Sequence, residues 1–136
     1  MRAEVTVEIE RTPEEVFDYL VDVSNLPCWQ SGVHAARREG SYIHESRHML
    51  GREMHTTLEI EDEERPRLFT LRALASPIPF RVRHELEPSG AGTRLRVTGE
   101  GDAGLLPGFA AGIMARRAEK QFTKDFERLK RLLEEQ

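Results

Sequence analysis

A single histidine occupies a position whose neighbours on the same face of the chain are apolar. His84 alternates with charged residues in segment 80–87, FRVRHELE, and this period of two predicts a strand with His84 on its buried face. An imidazole there can orient a carbonyl or hydroxyl group of a ligand, or act as an acid or base in catalysis, because its pKa can be tuned near neutrality. A core histidine bonded to a neighbour would show the same pattern. We expect orientation rather than catalysis, with His84 the best catalytic candidate if the protein is an enzyme.

Glu45 and Arg47 form a second candidate group, whose placement depends on one hairpin. If residues 51–52 form its two-residue loop, Arg47 opposes Thr56 and Glu45 opposes Leu58, so both charges share a face with apolar residues. Two positions apart on one strand face, they are about 6.6 Å apart along the backbone, within side-chain reach. They then bind each other or the polar head of a ligand, whereas a longer turn would place both in solvent.

Two further patterns resemble cofactor sites, one for a metal ion and one for a dinucleotide. Neither has the surrounding residues or elements that such a site requires. In the same register His48 opposes His55, with His44 four residues before His48 on the same outward face, but no acidic partner can be assigned to a metal site. Residues 99–104 match the dinucleotide pattern GxGxxG, yet no strand follows the next helix, so a βαβ unit cannot form. We therefore expect no metal and no other cofactor.

The elements that position these residues are delimited by local signals. Residues 4–10 alternate as a half-buried strand, and Thr12 and Pro13 then begin a capped, short amphipathic helix. Segment 33–101 is divided about every ten residues by glycine and proline turns, which predicts about six antiparallel strands. From Pro107 onward, apolar residues recur every three or four positions, which predicts one long helix of about 40 Å.

This order of strand, short helices, strands and long helix predicts an α+β fold. The C-terminal helix is the only element large enough to cover the apolar face of the sheet. Its inward positions carry alanines in the first half and phenylalanines and leucines in the second. Because small residues over a concave sheet leave space, we expect a cavity under the alanine half. The alternative is that the alanines merely let helix and sheet approach closely.

The predicted lining of this cavity combines apolar side chains with a few polar ones. It comprises Trp29, Glu45, Arg47, Met54, Thr56, Leu58, Phe69, Leu71, Phe80, Val82, His84, Phe109, Ala111, Ala115 and Ala118. Trp29 either lines the cavity mouth or packs in the core. Phe109, with Leu105, Leu106 and Ile78, either forms a mobile apolar lid or belongs to a plain connection between strand and helix.

Composition limits the classes of function. The chain has 136 residues and a mass of 15.6 kDa, the size of one domain, residues 1–136. Its net charge of −4 supplies no basic field for nucleic acid. A single cysteine, Cys28, excludes an internal disulfide and fits a reducing compartment. No signal peptide or membrane-spanning stretch is recognisable, so we expect a cytoplasmic protein that does not insert into membranes.

Four short stretches and the opening strand carry a family resemblance. They are residues 12–17 (TPEEVF), 25–29 (NLPCW), 50–52 (LGR) and 92–95 (GTRL). With this element order the chain resembles the polyketide cyclase/dehydrase and lipid-transport superfamily (SRPBCC) over essentially its whole length. The resemblance implies the START-like helix-grip fold, a seven-stranded antiparallel sheet gripping the C-terminal helix around an apolar pocket. Members include aromatases, cyclases, lipid and hormone binders and coenzyme-Q-binding proteins; no catalytic role transfers to a residue here.

Three functions are compatible with these observations. The first is binding of a small hydrophobic or amphipathic ligand, such as a lipid, polyketide-like aromatic or isoprenoid, oriented by His84, Thr56 and either Arg47 or Glu45. The second is a polyketide aromatase, cyclase or dehydratase that uses the same pocket. The third is a protein-interaction module with a vestigial pocket. We favour the first, in a monomer or homodimer.

Overall fold

A seven-stranded antiparallel sheet and a long C-terminal helix dominate the structure. The computed structural model describes residues 1–49, 51–75, 79–102, 104 and 106–136, with the side chains of Met49 and Ala75 outside that description. The elements are β1 Arg2–Ile9, α1 Pro13–Val21, a 3₁₀ turn Val23–Asn25, α2 Leu26–Trp29, β2 Val33–Glu39, β3 Tyr42–Met49, β4 Arg52–Glu64, β5 Leu68–Ala75, β6 Phe80–Ser89, β7 Gly92–Gly101 and α3 Gly108–Glu134. The predicted α+β helix-grip fold is confirmed.

The strand order explains how one long helix can serve the whole sheet. The order is β1-β7-β6-β5-β4-β3-β2, so β2 to β7 form a meander and β1 pairs with β7. Helix α3 lies along β1 and also contacts α2, which places it across the inner face of the sheet. No helix in the described part of the chain is both long and apolar enough to cross a membrane.

Helix α1 begins where the sequence predicts. Thr12 accepts a hydrogen bond on its hydroxyl oxygen from the backbone N–H of Glu15, at 3.2 Å, and the Glu15 carboxylate accepts one from the Thr12 backbone. This reciprocal capping box satisfies N–H groups that a helix start otherwise leaves free. The helix buries Val16, Phe17 and Leu20 against the sheet and so closes one end of the core.

The core lies under the second half of α3. Leu129 and Leu133 of α3 are buried there with Leu95 and Val97 of β7. A continuous row of aromatic rings crosses the same region, with adjacent centroids 5.0–6.2 Å apart: Phe17, Phe69, His84, Phe126 and Trp29. This packing of large side chains fixes the second half of the helix to the sheet.

The β3–β4 hairpin has a different register from the one predicted. Arg47 opposes Met54, and Glu45 opposes Thr56, because Met49 already pairs with Arg52. The predicted opposition of Arg47 to Thr56 and of Glu45 to Leu58 is therefore wrong by two residues. Since side chains alternate with a period of two, an even shift leaves each residue on its expected face.

Candidate functional site

The inner face of the sheet has a packed part and an open part. Phe122 of α3 lies directly against Gly99 of β7, where a Cβ atom would come within 2.9 Å of the ring. Gly99 pairs with Val82 of β6, the next strand of the sheet. Several predicted lining residues of strands β3 to β6 and of the first half of α3 are only half-buried, and we call this set the inner groove: Arg47, Met54, Thr56, Leu71, Phe80, Val82, Ala111, Ala115 and Ala118.

Neither of two concave regions found among the described residues is the enclosed cavity expected under the alanines. Two shallow regions of about 480 and 400 Å³ lie mainly over the outer face of the sheet. Both are lined by charged residues that include Arg83, Glu85 and Arg96. Neither is lined by the alanines of α3, which are half-buried, so a cavity under these alanines stays a prediction.

A buried carboxylate fixes a guanidinium beside this groove. The Glu45 side chain is 2% exposed, and its Oε1 lies 3.0 Å from Nη2 and 3.1 Å from Nε of Arg47. Nη2 of Arg47 also donates to Oε1 of Gln30 at 2.6 Å. Within the described residues, Nη1 of Arg47 has no hydrogen-bond partner, and the side chain is 28% exposed. The guanidinium is thus held in place with donors still available.

A second polar contact attaches α3 to the turn after α2, which contains Gln30 and Ser31. Asp125 is buried, and its Oδ1 accepts from the backbone N–H of Ser31 at 3.1 Å and from Nε2 of Gln121 at 2.9 Å. Ser31 follows Gln30, the residue that binds Arg47. The turn after α2 is therefore held by strand β3 on one side and by α3 on the other.

His84 lies in the packed part of the core. Its Nδ1 is 2.9 Å from the carbonyl oxygen of Phe69, and its ring lies between Phe69 and Phe126. Burial lowers the pKa of His84 to about 4, against the smaller opposing effect of that hydrogen bond. Burial thus moves this pKa away from neutrality, and the imidazole is neutral at pH 7. A neutral ring that donates from Nδ1 leaves Nε2 as an acceptor.

The other predicted lining residues fall into three groups. Leu58, Phe69 and Trp29 are buried, and Trp29 packs on Phe126. The half-buried ones form the inner groove described above. Phe109 is 75% exposed, on the side of α3 away from Ala111, so it does not line the groove. Of the proposed lid, Ile78 and Leu105 lie outside the described residues. The ligand-binding role of each residue stays a prediction.

The expected pairing of His48 with His55 is also wrong. His48 opposes Glu53, and His55 opposes Ser46. The rings of His48 and His34 stack with centroids 4.5 Å apart. Over the ranges that the structure describes, no three His, Cys, Asp or Glu side chains are arranged to hold a metal ion.

Gln30 and Asp125 are the parts of this site that the sequence analysis does not identify. Asp125 had a detectable signal, because it lies on the inward side of α3 between Phe122 and Phe126. A carboxylate in that position needs hydrogen-bond donors, since burial without them is costly. Gln30 had no comparable signal, because its contact depends on how the turn after α2 approaches β3.

Comparison with known proteins agrees with this architecture. The family model described as polyketide cyclase / dehydrase and lipid transport matches residues 1–134. The chain belongs to that family. No functionally curated protein matches the sequence.

Solved structures with the same fold are distant in sequence. A protein of Deinococcus radiodurans is 16% identical with a TM-score of 0.76, over 98% of both chains. The di-domain ARO/CYC protein StfQ, from the steffimycin biosynthetic pathway, is 13% identical with a TM-score of 0.80, over 98% of this chain and 51% of its own. The di-domain ARO/CYC protein BexL, from the BE-7585A biosynthetic pathway, is 20% identical with a TM-score of 0.79, over 96% and 45%. The chain thus spans about half of each di-domain protein.

Proposed function

We propose that the protein binds a small, mostly apolar molecule in the inner groove, with one oxygen of that molecule on Arg47. The observation that carries the proposal is the half-buried guanidinium of Arg47, fixed by Glu45 and Gln30 beside uncovered apolar surface. Apolar burial in the groove would supply most of the affinity, and the guanidinium would supply orientation. Membership of a family named for lipid transport and polyketide cyclisation supports a ligand of this kind.

The charge of the site narrows the ligand chemistry. Arg47 is already neutralised by Glu45 at 3.0 Å, so an anionic ligand would bring a second negative charge next to a buried carboxylate. A neutral acceptor oxygen, such as the carbonyl of a ketone, ester or quinone, needs only the remaining N–H donors of the guanidinium. We therefore expect neutral carbonyl-bearing lipids, polyketide-like aromatics or isoprenoid quinones rather than free fatty acids.

Binding without turnover is favoured by the state of the two titratable candidates. His84 is neutral and packed between aromatic rings, and Glu45 is paired with Arg47. Neither is an unpaired acid or base beside the groove. An aromatase, cyclase or dehydratase that acts by positioning alone is the second candidate, because StfQ and BexL are described as ARO/CYC proteins. Turnover of a poly-β-ketone by the purified protein would decide for the second candidate.

The test uses the only tryptophan of the chain as a reporter. Trp29 precedes Gln30, so a quinone bound on Arg47 should quench its fluorescence. Menadione is a suitable neutral probe, with decanoate as the anionic comparison. Arg47→Gln should weaken menadione binding roughly tenfold, the value of one charge-assisted hydrogen bond. Arg37→Gln, which removes an exposed cation of β2, should leave binding unchanged.

Three results would contradict the proposal. They are saturable menadione binding with equal affinity in wild type and Arg47→Gln, tighter binding of decanoate than of menadione, and undiminished binding after Ala115→Phe, which fills the groove. Each variant is compared with wild type by far-UV circular dichroism, so that loss of the fold is not mistaken for loss of the site.

A further inference from the structure

The side of α3 that faces away from the sheet carries a continuous row of exposed residues. Successive members are three or four positions apart, so they form one line along the helix. We call this line the α3 stripe: Phe109, Ile113, Arg117, Lys120, Lys124, Arg128 and Arg131. It lies opposite the alanines and phenylalanines that face the sheet, and it is independent of the inner groove.

The first part of the α3 stripe is apolar although solvent surrounds it. Phe109 is 75% exposed and Ile113 is 41% exposed, two of the large hydrophobic side chains most accessible in the described chain. They are one helical turn apart and so form one small apolar patch near the start of α3. Neither side chain belongs to the core cluster of the described residues.

The rest of the α3 stripe is basic, and its charges are not neutralised by ion pairs. Within the part of the chain that the structure describes, Arg117, Lys120 and Lys124 lie within 4 Å of no carboxylate, and the same holds for Arg128 and Arg131. The arginines of the outer sheet face behave differently: Arg94 pairs with Glu8, and Arg96 with Glu4. Residues 116–131 have six exposed cations, the five above and Arg116, against two exposed acids, Glu119 and Glu127. A protein with a net charge of −4 thus carries a local positive surface.

We propose that the α3 stripe docks on the surface of an anionic lipid bilayer. Phe109 and Ile113 enter the headgroup region, and the cations that follow them bind lipid phosphates. From Phe109 to Lys124 the helix advances about 22 Å, so the contact is long, straight and suited to a plane. Acidic residues on other faces of the protein repel the bilayer only weakly, because salt screens charges beyond the Debye length, which is about 8 Å at physiological salt.

The chemistry of the α3 stripe favours a bilayer over a folded protein partner. Protein interfaces have an apolar centre from which lysine is depleted, whereas here lysines occupy the middle of the line. A bilayer offers diffuse negative charge that needs no partner side chain at a fixed position. Docking of this kind requires no helix to span the membrane, and the exposed phenylalanine supplies the apolar anchor.

The test is flotation of the full chain with vesicles of phosphatidylcholine alone and with phosphatidylglycerol added. The protein should float with the anionic vesicles and not with the neutral ones, and added salt should release it. The combined variant Arg117→Gln, Lys120→Gln and Lys124→Gln should weaken partitioning roughly 100-fold, since each cation near the surface is worth about fivefold. Phe109→Ser should weaken it roughly tenfold through lost apolar burial.

A matched control removes the same charge from other faces. Arg37→Gln, Arg52→Gln and Arg83→Gln are exposed positions outside the α3 stripe, and their combined variant should partition like wild type. No flotation with anionic vesicles, equal flotation with neutral vesicles, or equal loss in the two triple variants would overturn the proposal. Binding to soluble polyglutamate but not to vesicles would overturn the membrane proposal and indicate that the α3 stripe binds an acidic protein. Arg47→Gln should leave flotation unchanged, so this result is separable from the proposed groove ligand.

Discussion

His84 shows how burial sets the charge state of a polar side chain. The carbonyl oxygen of Phe69 at 2.9 Å fixes the ring, and the phenyl rings of Phe69 and Phe126 exclude water from it. Desolvation then outweighs the hydrogen bond and holds the pKa at about 4. An imidazole in this state can accept a hydrogen bond on Nε2, but it carries no charge at neutral pH.

The lowered pKa of His84 predicts a loss of stability in mild acid. The unfolded chain binds a proton near pH 6.5 and the folded chain only near pH 4, so protons favour the unfolded state between these values. We expect His84 to remove about 3 kcal/mol from the free energy of unfolding as pH falls from 6.5 to 4. Urea unfolding across this range measures the effect.

The control for this prediction is a variant without the titrating group. His84→Gln is less stable at pH 7, but its free energy of unfolding should fall less steeply between pH 6.5 and 4 than that of wild type. Equal slopes in the two proteins would show that His84 is not the group responsible.

Individual residues differ in how far the sequence predicts their place in the site. The inward direction of Glu45 follows from alternation in the predicted hairpin register, and the two-residue error in that register leaves it unchanged because the error is even. The hydrogen bond between Asp125 and Ser31 joins residues 94 positions apart, and no local pattern specifies it. The charge state of His84 is likewise set by packing across three elements.

At the scale of elements, α3 has two halves with different attachments. Its second half packs against β1 and β7 through Phe122, Phe126 and Leu129. In its first half the residues on the same side of the helix are half-buried alanines. Asp125 lies at the boundary and attaches the helix to the turn after α2.

The hydrogen bonds of Asp125 should contribute measurably to the free energy of unfolding. Asp125→Ala removes the buried acceptor of two hydrogen bonds, from the backbone N–H of Ser31 and from Nε2 of Gln121. We expect the free energy of unfolding to fall by about 1–3 kcal/mol, measured by urea unfolding. Gln121→Ala, which removes only an accessible partner, should cost less, and the reverse order would contradict this account.

Gly99 tests the close approach of α3 to β7. A Cβ atom there would meet the Phe122 ring at 2.9 Å, so Gly99→Ala should destabilise the protein by about 1–3 kcal/mol. Adding Phe122→Leu to Gly99→Ala should recover part of the loss, which thermal unfolding would detect. A fully additive cost would mean that the two residues do not compete for this space.

Elements are largely predictable because their signals are local. The Thr12–Glu15 capping box, the turn glycines and the apolar repeat of α3 each act within a few residues. The distance between α3 and the sheet cannot be predicted from such local signals. Small shifts of a packed helix decide whether an enclosed cavity lies beneath it. The cavity predicted from the alanine pattern therefore stays a prediction.

At the scale of the whole molecule, a ligand of the groove should stabilise the fold by mass action. Menadione at 100 times its dissociation constant should add about 2.7 kcal/mol to the free energy of unfolding. For a chain of 136 residues this corresponds to a rise in Tm of roughly 8 °C. Differential scanning calorimetry measures it, and Ala115→Phe should show no such rise.

The two edges of the sheet are closed to pairing in different ways. On β1, Nζ of Lys130 from α3 donates to the carbonyl oxygen of Glu8, and the backbone N–H of Glu10 donates to Glu134. On β2 the register shifts between Val33 and Ala35, and exposed Arg37 and Glu39 follow. Bulges and charged side chains discourage the addition of a foreign strand. The protein can therefore expose apolar surface in its groove without offering the strand edges from which fibrous aggregates grow.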